Sequence, residues 1–578
     1  MINLPGRTTT SLNGLWEVII DPFDAGKGSW IALYQDRKPE SDSDFVEYGF
    51  DGGPRLHVPG DFNSQMPELA YYEGTLWYKR QFEYTPSDKR LFVHFGAINY
   101  RASIYLNGEF LGEHEGGFTP FQIELTDRVI KGENSLIVRA NNERIRDGIP
   151  GLGFDWFNYG GITRDVDLVE TPATYIKDYK IQLKRGDLGT IAGWVQLDGA
   201  NLRQTIRLSI PEAGIDKTFR TDSKGRAEIN LPAELALWSP ENPKLYDVQI
   251  ASATDSTREK IGFRTIEVEG KEILLNGQPI FLRGINIHEE IPQRKGRAFS
   301  EADAQMLLGW AKELNSNFVR LSHYPHNEHM VRLADELGLL VWSEVPVYQH
   351  IDFASPVIQR KMDLMIREMI SRDKNRSSVI IWSAANETYP SPERNAAIAR
   401  LSQLVRSLDS TRLVAQASNT FEYHDDRTEI TDAAFEHFDL VAINQYFGWY
   451  RPWPEQPGVM KWVSDFDKPL IISEFGGEAL LGSTAEPKHA AHSWSEEYHE
   501  DIHIQQVKMF DSMPELRGVV PWILVDFRSP TRMHPVHQQG WNRKGLLSDR
   551  GLKKKAWYIM RDYYDRVQKD WEAREHTP

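Results

Sequence analysis

"LLNGQPIFLRG", Leu274 to Gly284, is where the chain changes its rhythm. Its Asn-Gly pair is a strong hairpin turn signal. Past it, short apolar runs alternate with amphipathic helical stretches, the signature of parallel β/α units. Eight strand candidates follow: "FLRGINIH", "FVRLSH", "LLVWSE", "VIIWSAANE", "LVAQAS", "LVAINQY", "LIISE" and "VVPWILVDF". Between them lie helices such as the one carrying Met362, Met365, Ile366, Met369 and Ile370 at three-and-four spacing. Eight such units close a (β/α)8 barrel, here over residues 269–578. The strands end in His288, Ser322 with His323, Glu344, Asn386 with Glu387, Asn419, Asn444 with Tyr446, Glu474 and Asp526. A ring of polar groups at the C-terminal rim is where such barrels do chemistry.

Upstream of the turn the pattern is all β. Residues 1–172 carry short alternating runs such as "LFVHFG" and "SLIVRA", with turn chemistry such as "LNGE" at Leu106 to Glu109, and predict a β-sandwich. Residues 173–268, with "YKIQLKR", "RLSIPE" and "YDVQIASA", predict a second, smaller sandwich. Three domains suit a chain of 578 residues.

Composition narrows the function. The chain carries a net charge of −16 and no long Lys/Arg run, which argues against a nucleic-acid partner. It has no Cys, so disulfides, cysteine-bound zinc and thiol nucleophiles are excluded. No apolar run is long enough for a membrane span. The 17 Trp, 22 Tyr and 26 Phe serve either large β cores or stacking on sugar rings, and composition alone leaves both open.

Glu387 ends the fourth strand and Glu474 the seventh, so both reach the same barrel mouth. Glycoside hydrolysis needs such a pair, one carboxyl to protonate the leaving oxygen and one carboxylate to meet the charge developing at the anomeric carbon. A strand-end Glu taken singly is more often a cap or an ion-pair member, so the coincidence of two carries the weight. Whether the outcome is retention or inversion depends on their separation, which sequence does not give. His288, His323 and Glu344 also form a possible metal set, but they lack the tight i, i+4 spacing of a helical metal motif, and donation to sugar hydroxyls is the preferred role for the histidines.

"FLRGINIHEE", "VIIWSAANE" and "LIISEFGGE", in this order after two sandwiches, resemble glycoside hydrolase family 2 over nearly the whole chain. Within that family, "NQYFGWY", "HSWSEEY" and the Asn-x-Lys pair of "WNRKG" (Trp541 to Gly545) are more similar to the β-glucuronidases than to the β-galactosidases or β-mannosidases. The resemblance implies a sugar-binding jelly roll, an immunoglobulin-like sandwich and a catalytic barrel. It also implies retaining double displacement, with no organic cofactor. It assigns Glu387 as acid/base and Glu474 as nucleophile, and Asn386 as the group holding the 2-hydroxyl. It sets Tyr446 beside the nucleophile, Tyr450 and Trp522 along the sugar, and Asp155 of "FDWFNYGG" reaching in from the first domain. Asp155 has a competing reading as a loop acid tying down a turn.

Asn542 and Lys544 match the pair that grips a uronate carboxylate. Arg543 between them is expected to point away, because alternate residues of an extended segment face opposite sides. Read without the resemblance, the same clip is a solvated surface turn. Two departures stand out. Many bacterial β-glucuronidases carry an arginine shortly before this Asn, where this chain has Gln538, Gln539, Gly540 and Trp541. The connection after the third strand, "VPVYQHIDFASP", is short, and an open mouth suits oligosaccharide ends. The expected substrate is therefore a β-glucuronide or a uronic-acid-terminated oligosaccharide. The alternatives are a β-galactosidase or β-galacturonidase on the same scaffold, or a non-catalytic carbohydrate-binding protein, which would not need both glutamates. A homo-oligomer is compatible with the sequence. Relatives that open in the style of "PGRTTTSLNG" are often exported, which implies the periplasm if a leader was trimmed and the cytoplasm otherwise.

Overall fold

The computed structural model of the chain describes residues 4–575 apart from 5, 42, 425, 454–455 and 487–489. Its N-terminal unit is a sandwich of a six-stranded and a four-stranded antiparallel sheet. Trp16, Val18, Leu76, Tyr78, Val93, Phe95 and Val138 fill the space between them. The "LNGE" hairpin turns with Asn107 at φ 50° and Gly108 at φ 85°, the doubly left-handed turn that Asn-Gly favours. The second sandwich packs a three-stranded on a four-stranded sheet. Its strand Arg226–Pro232 shows the alternation directly, with Ala227, Ile229 and Leu231 buried and their neighbours outward.

After the Asn276-Gly277 turn, eight parallel strands form the barrel sheet. They are β1 (Leu282–Ile287), β2 (Phe318–Leu321), β3 (Leu340–Glu344), β4 (Val379–Asn386), β5 (Leu413–Ala417), β6 (Val441–Asn444), β7 (Leu470–Glu474) and β8 (Leu516–Val519). The ring closes between β5 and β6 through Ser418, whose N–H donates to Ala442 O at 3.0 Å and whose carbonyl accepts from Asn444 N at 2.8 Å. These strands are almost wholly buried, which is why their sequences read as unbroken apolar runs rather than alternations. Helices α1 (Glu301–Glu313), α2 (Glu328–Leu337), α3 (Pro356–Asp373), α4 (Pro392–Leu408), α5 (Glu496–Phe510) and α6 (Lys555–Glu575) surround them. Ser300, Ser355, Ser391 and Ser495 cap α1, α3, α4 and α5, each hydroxyl accepting an N–H of the first turn.

The structure departs from the sequence pattern in two places. Among the described residues, β5 and β6 are followed by 3-10 turns and a small sheet of Phe421–His424, Arg427–Ile430 and Lys461–Val463 rather than by α-helices. Phe421, Tyr423, Thr428 and Ile430 favour strands after β5, and Pro452 and Pro457 interrupt any helix after β6. The eighth strand also ends earlier than "VVPWILVDF" implies, because Pro521 brings no N–H to the ladder. Asp526 is consequently not a rim residue. It is 1% exposed and accepts from Lys554 Nζ at 2.7 Å.

Buried charge pairs tie both sandwiches to the barrel. Arg164 of the first reaches Glu289 at 3.2 Å and Pro325 O at 2.6 Å, and Lys180 of the second meets Asp409 at 2.8 Å. Phe118, Phe154 and Trp156 of the first sandwich pack with Tyr324, Tyr348, Trp522 and Phe527 of the barrel in one aromatic cluster beside its mouth. No helix among the described residues is long and apolar enough to cross a membrane.

Candidate active site

A cavity of about 290 Å³ opens at the C-terminal end of the barrel, and both glutamates line it. Glu387 follows β4 with φ at 50°, a left-handed conformation that costs energy in a residue with a Cβ. Its Oε1 accepts from Asn444 Nδ2 at 3.0 Å and its Oε2 from Gln349 Nε2 at 3.0 Å. Burial raises its pKa above the usual carboxylate value, the negative charge of Glu474 raises it further, and the two amide donors pull it back. This environment suits a carboxyl that keeps its proton longer than an exposed one.

Glu474, the last residue of β7, is held differently. Arg320 Nη1 donates to its Oε1 at 2.6 Å and the Tyr446 hydroxyl to its Oε2 at 2.7 Å. Burial, then the charges of Glu474 and Glu387, push the Tyr446 hydroxyl well above its ordinary pKa, so it stays protonated and donates. Two carboxyls thus face one cavity in unlike surroundings, one held by neutral amides and the other ion-paired to a guanidinium.

Arg320 organises this floor from the middle of β2, fully buried. It also donates to Glu344 through Nε at 3.1 Å and Nη2 at 3.0 Å, to Asn286 at 3.1 Å and to Asn386 Oδ1 at 2.7 Å. Burial opposes its charge, but Glu344 and Glu474 outweigh that and raise its pKa. Glu344 also accepts from Trp342 Nε1 at 2.8 Å and pairs with His323 Nδ1 at 2.9 Å. Burial acts to raise the Glu344 carboxyl, yet Arg320 and His323 hold it at about 2.

His288, His323 and Glu344 do not converge on a common point. His288 Nδ1 is 3.1 Å from the Tyr324 hydroxyl, and its ring stands edge-on to Trp522 at 5.2 Å. Unlike His323, it is not among the residues that line the cavity, and it packs against Trp522 and Phe527. His323 does line the cavity, stacked on Trp522 at 4.7 Å. Asn386 and Asn444 line it as well, and Asn386 Nδ2 is buried without a hydrogen-bond partner.

Part of the cavity wall is built by the "WNRKG" clip, through Asn542 and Lys544. Trp541–Asn542 pairs antiparallel with Phe527–Arg528, and Asn542 and Lys544 are fully buried, unlike a solvated turn. Arg543 does point away, reaching Asp526 at 3.4 Å and Asp549 at 3.3 Å. Asp526 supports the clip from behind by accepting from Gly545 N at 3.0 Å. A Cβ at residue 545 would lie 2.2 Å from Asp526 N, so the close approach requires glycine. Lys544 Nζ donates to the Tyr450 hydroxyl at 2.7 Å and to Glu478 Oε1 at 3.1 Å. Asn542 Nδ2 lies 3.3 Å from Asp155 Oδ2.

The sequence has no arginine in the four residues before Asn542, but the structure brings one in from further upstream. Arg532 enters from ten residues upstream, donates through Nη1 to the Tyr450 hydroxyl at 2.8 Å, and forms a fork with Asp155. Lys544 and Arg532 therefore flank the same hydroxyl. Burial alone would raise the Asp155 carboxyl, but Arg532 outweighs it and lowers the pKa. Asp155 reaches the cavity from the first sandwich as expected, and its turn-tying alternative is partly realised in contacts to Ser529 and Thr531. Tyr348, Gln349, Arg451 and Arg532 also line the cavity and were not anticipated.

The chain belongs to glycosyl hydrolases family 2. The family's sugar-binding domain model matches residues 9–172, its central model 174–264 and its TIM-barrel model 266–568. A β-glucuronidase of Streptococcus agalactiae is 30% identical, covering 88% of this chain and 93% of its own. Two solved structures are similar. The β-glucuronidase of Ruminococcus gnavus in complex with D-glucuronic acid has a TM-score of 0.81 at 27% identity, covering 97% of this chain and 98% of its own. A β-galacturonidase of Eisenbergiella tayi bound to galacturonate has a TM-score of 0.83 at 25% identity, covering 98% and 99%. The fold read from the sequence, a jelly roll, an immunoglobulin-like sandwich and a TIM barrel, is the fold of this family.

Proposed function

We propose that the protein is a retaining exo-β-glucuronidase that releases a terminal β-linked uronic acid. The observation that carries this reading is the pair of cations, Lys544 and Arg532, converging on the Tyr450 hydroxyl in the same cavity as Glu387 and Glu474. A neutral sugar has no use for a buried lysine and a half-buried arginine side by side, whereas a C6 carboxylate accepts from both, with Asn542 adding an amide donor. The β-glucuronidase relatives support the same substrate.

In the proposed first step, Glu474 attacks the anomeric carbon while Glu387 gives its proton to the leaving glycosidic oxygen. A glycosyl ester forms on Glu474 and the C1–O bond to the leaving group breaks. In the second step Glu387, now a carboxylate, takes a proton from water as that water attacks C1 and frees Glu474. The unpartnered Asn386 Nδ2 is positioned to hold a ring hydroxyl.

One observation favours a second reading, a β-galacturonidase. The galacturonate-bound relative is similar over the whole chain, and the Lys544–Arg532 pair suits a uronate of either epimer. Hydrolysis of matched nitrophenyl β-glucuronide, β-galacturonide and β-galactoside separates the readings. Preference for the glucuronide is expected. Preference for the galactoside removes the uronate assignment.

A further inference from the structure

Beside the sugar cavity lies a second, larger groove of about 1020 Å³, and Gln349 lines both. Its amide, 3.0 Å from Glu387 Oε2, stands on the side where the leaving oxygen would receive its proton. The groove runs between Arg146–Gly153 of the first sandwich and two barrel loops, 349–355 and 389–393.

The walls are preformed. Both barrel loops end in helix caps, Ser355 accepting from Ile358 N and Ser391 from Arg394 N. A Cβ at Gly151 would lie 2.9 Å from His350 O, so sandwich and barrel meet at close contact across the groove floor. On the sandwich side, Lys361 Nζ donates to Asp147 O at 2.7 Å. Within these walls Tyr389 and Leu152 are large apolar side chains left open, at 54% and 51% exposure.

We infer that this groove is the leaving-group site for an uncharged saccharide chain of at least two rings, with Tyr389 as the platform on which a pyranose ring stacks. The inference rests on the glycosidase reading above. The groove is more than three times the volume of the cavity for the terminal sugar, which is room for more than one ring. Its polar groups, including Gln349, His350 and Asp352, match hydroxyls along a chain, while a flat aromatic leaving group would leave most of them unused. The exposed tyrosine offers an apolar face with a polar tip, the form that suits the C–H face of a sugar.

Charge selects within saccharides. Arg146 is the groove's cation, against the carboxylates of Asp147, Asp352 and Glu393. Asp147 has Lys361 at 3.6 Å, whereas among the described residues Asp352 and Glu393 have no cationic partner. An anionic sugar would be repelled there, so the groove suits neutral hexose or N-acetylhexosamine units.

The test compares kcat/KM on nitrophenyl β-glucuronide with that on oligosaccharides in which a terminal β-glucuronosyl unit is joined to one, two or three neutral hexoses. Wild type is expected to gain about tenfold between one and two hexoses, and Tyr389→Ala to lose that gain relative to the nitrophenyl substrate. A flat length series, or an equal loss on all substrates in Tyr389→Ala, overturns the platform. A wild type that prefers sulfated or uronate-containing chains overturns the neutral assignment. If the enzyme instead prefers a nitrophenyl galactoside, the uronate reading fails, and the same length series built on galactose still decides the groove.

Discussion

Arg320 Nη1 stands 2.6 Å from Glu474 Oε1, and the arginine has no solvent contact of its own. The same guanidinium holds Glu344, so one buried cation serves two carboxylates of the barrel floor. Removing one side of such a pair leaves buried charge uncompensated. Arg320→Met is therefore expected to lower unfolding free energy by about 3–5 kcal/mol and to abolish turnover. Denaturant unfolding followed by tryptophan fluorescence checks it, and an unchanged midpoint would show that the arginine is dispensable to the fold.

Glu474 is expected to be the residue that carries the glycosyl ester. It ends a buried strand, lines the cavity, and is followed by Gly476 and Gly477, where a Cβ would press on Trp522 O at 3.0 Å and on Ile502 at 2.5 Å, so the glycines let β7 pack closely behind it. A 2-fluoro glycosyl fluoride of the preferred uronic acid, slow to deglycosylate, should label the peptide containing Glu474. Label on Glu344 or Glu478 would contradict the assignment. Glu344 is already saturated by Arg320, Trp342 and His323.

Glu387→Ala should cost about 10²- to 10⁴-fold on substrates with poor leaving groups, and far less on those needing no protonation. Added azide should restore turnover by taking the place of the water that Glu387 deprotonates. Equal losses on good and poor leaving groups, with no azide effect, would remove Glu387 from the acid/base role.

The pH profile follows from the same carboxyl. Burial and then Glu474 raise its pKa, and as the acid it must be protonated, so kcat/KM falls as pH rises through that raised value. Asn444 donates to the Glu387 carboxylate and so lowers its pKa. Asn444→Ala should move the alkaline limb to higher pH, whatever it does to the maximal rate. Glu474→Gln, by removing the repelling charge, should lower the Glu387 pKa in a direct carboxyl titration.

The sequence exposed the features that depend on local pattern. The parallel barrel was legible because strands buried on both sides read as apolar runs, and both glutamates because they close such runs. Arg320 was legible in principle, since an arginine inside "FVRL" must find buried partners, but nothing local says which. Arg532 lay out of reach, because its pairing with Asp155 spans the two domains. Asp526 misled for the opposite reason: "ILVDF" has the pattern of a strand end, and only Pro521, by breaking the ladder, turns that segment beneath the clip.

Lys544 and Glu478 set the last prediction, because they pair at 3.1 Å with both side chains buried. The net charge of −16 repels an anion at long range, and that field is screened beyond about 8 Å at physiological salt, so attraction for a uronate has to be local. Lys544→Ala should then lower kcat/KM on nitrophenyl β-glucuronide by at least about thirtyfold, the low end of removing one side of a buried charged contact. Any slow activity on the β-galactoside should be unchanged or improved. The single variant also leaves buried Glu478 with Gln538 at 2.8 Å and the more distant Arg532 at 3.5 Å, which threatens folding. The double variant Lys544→Met with Glu478→Gln removes both charges together and keeps the cavity filled. It should fold and still discriminate against the glucuronide, with Arg532 retaining part of the affinity. Equal losses on both substrates in the double variant would make the clip a structural element rather than the carboxylate grip.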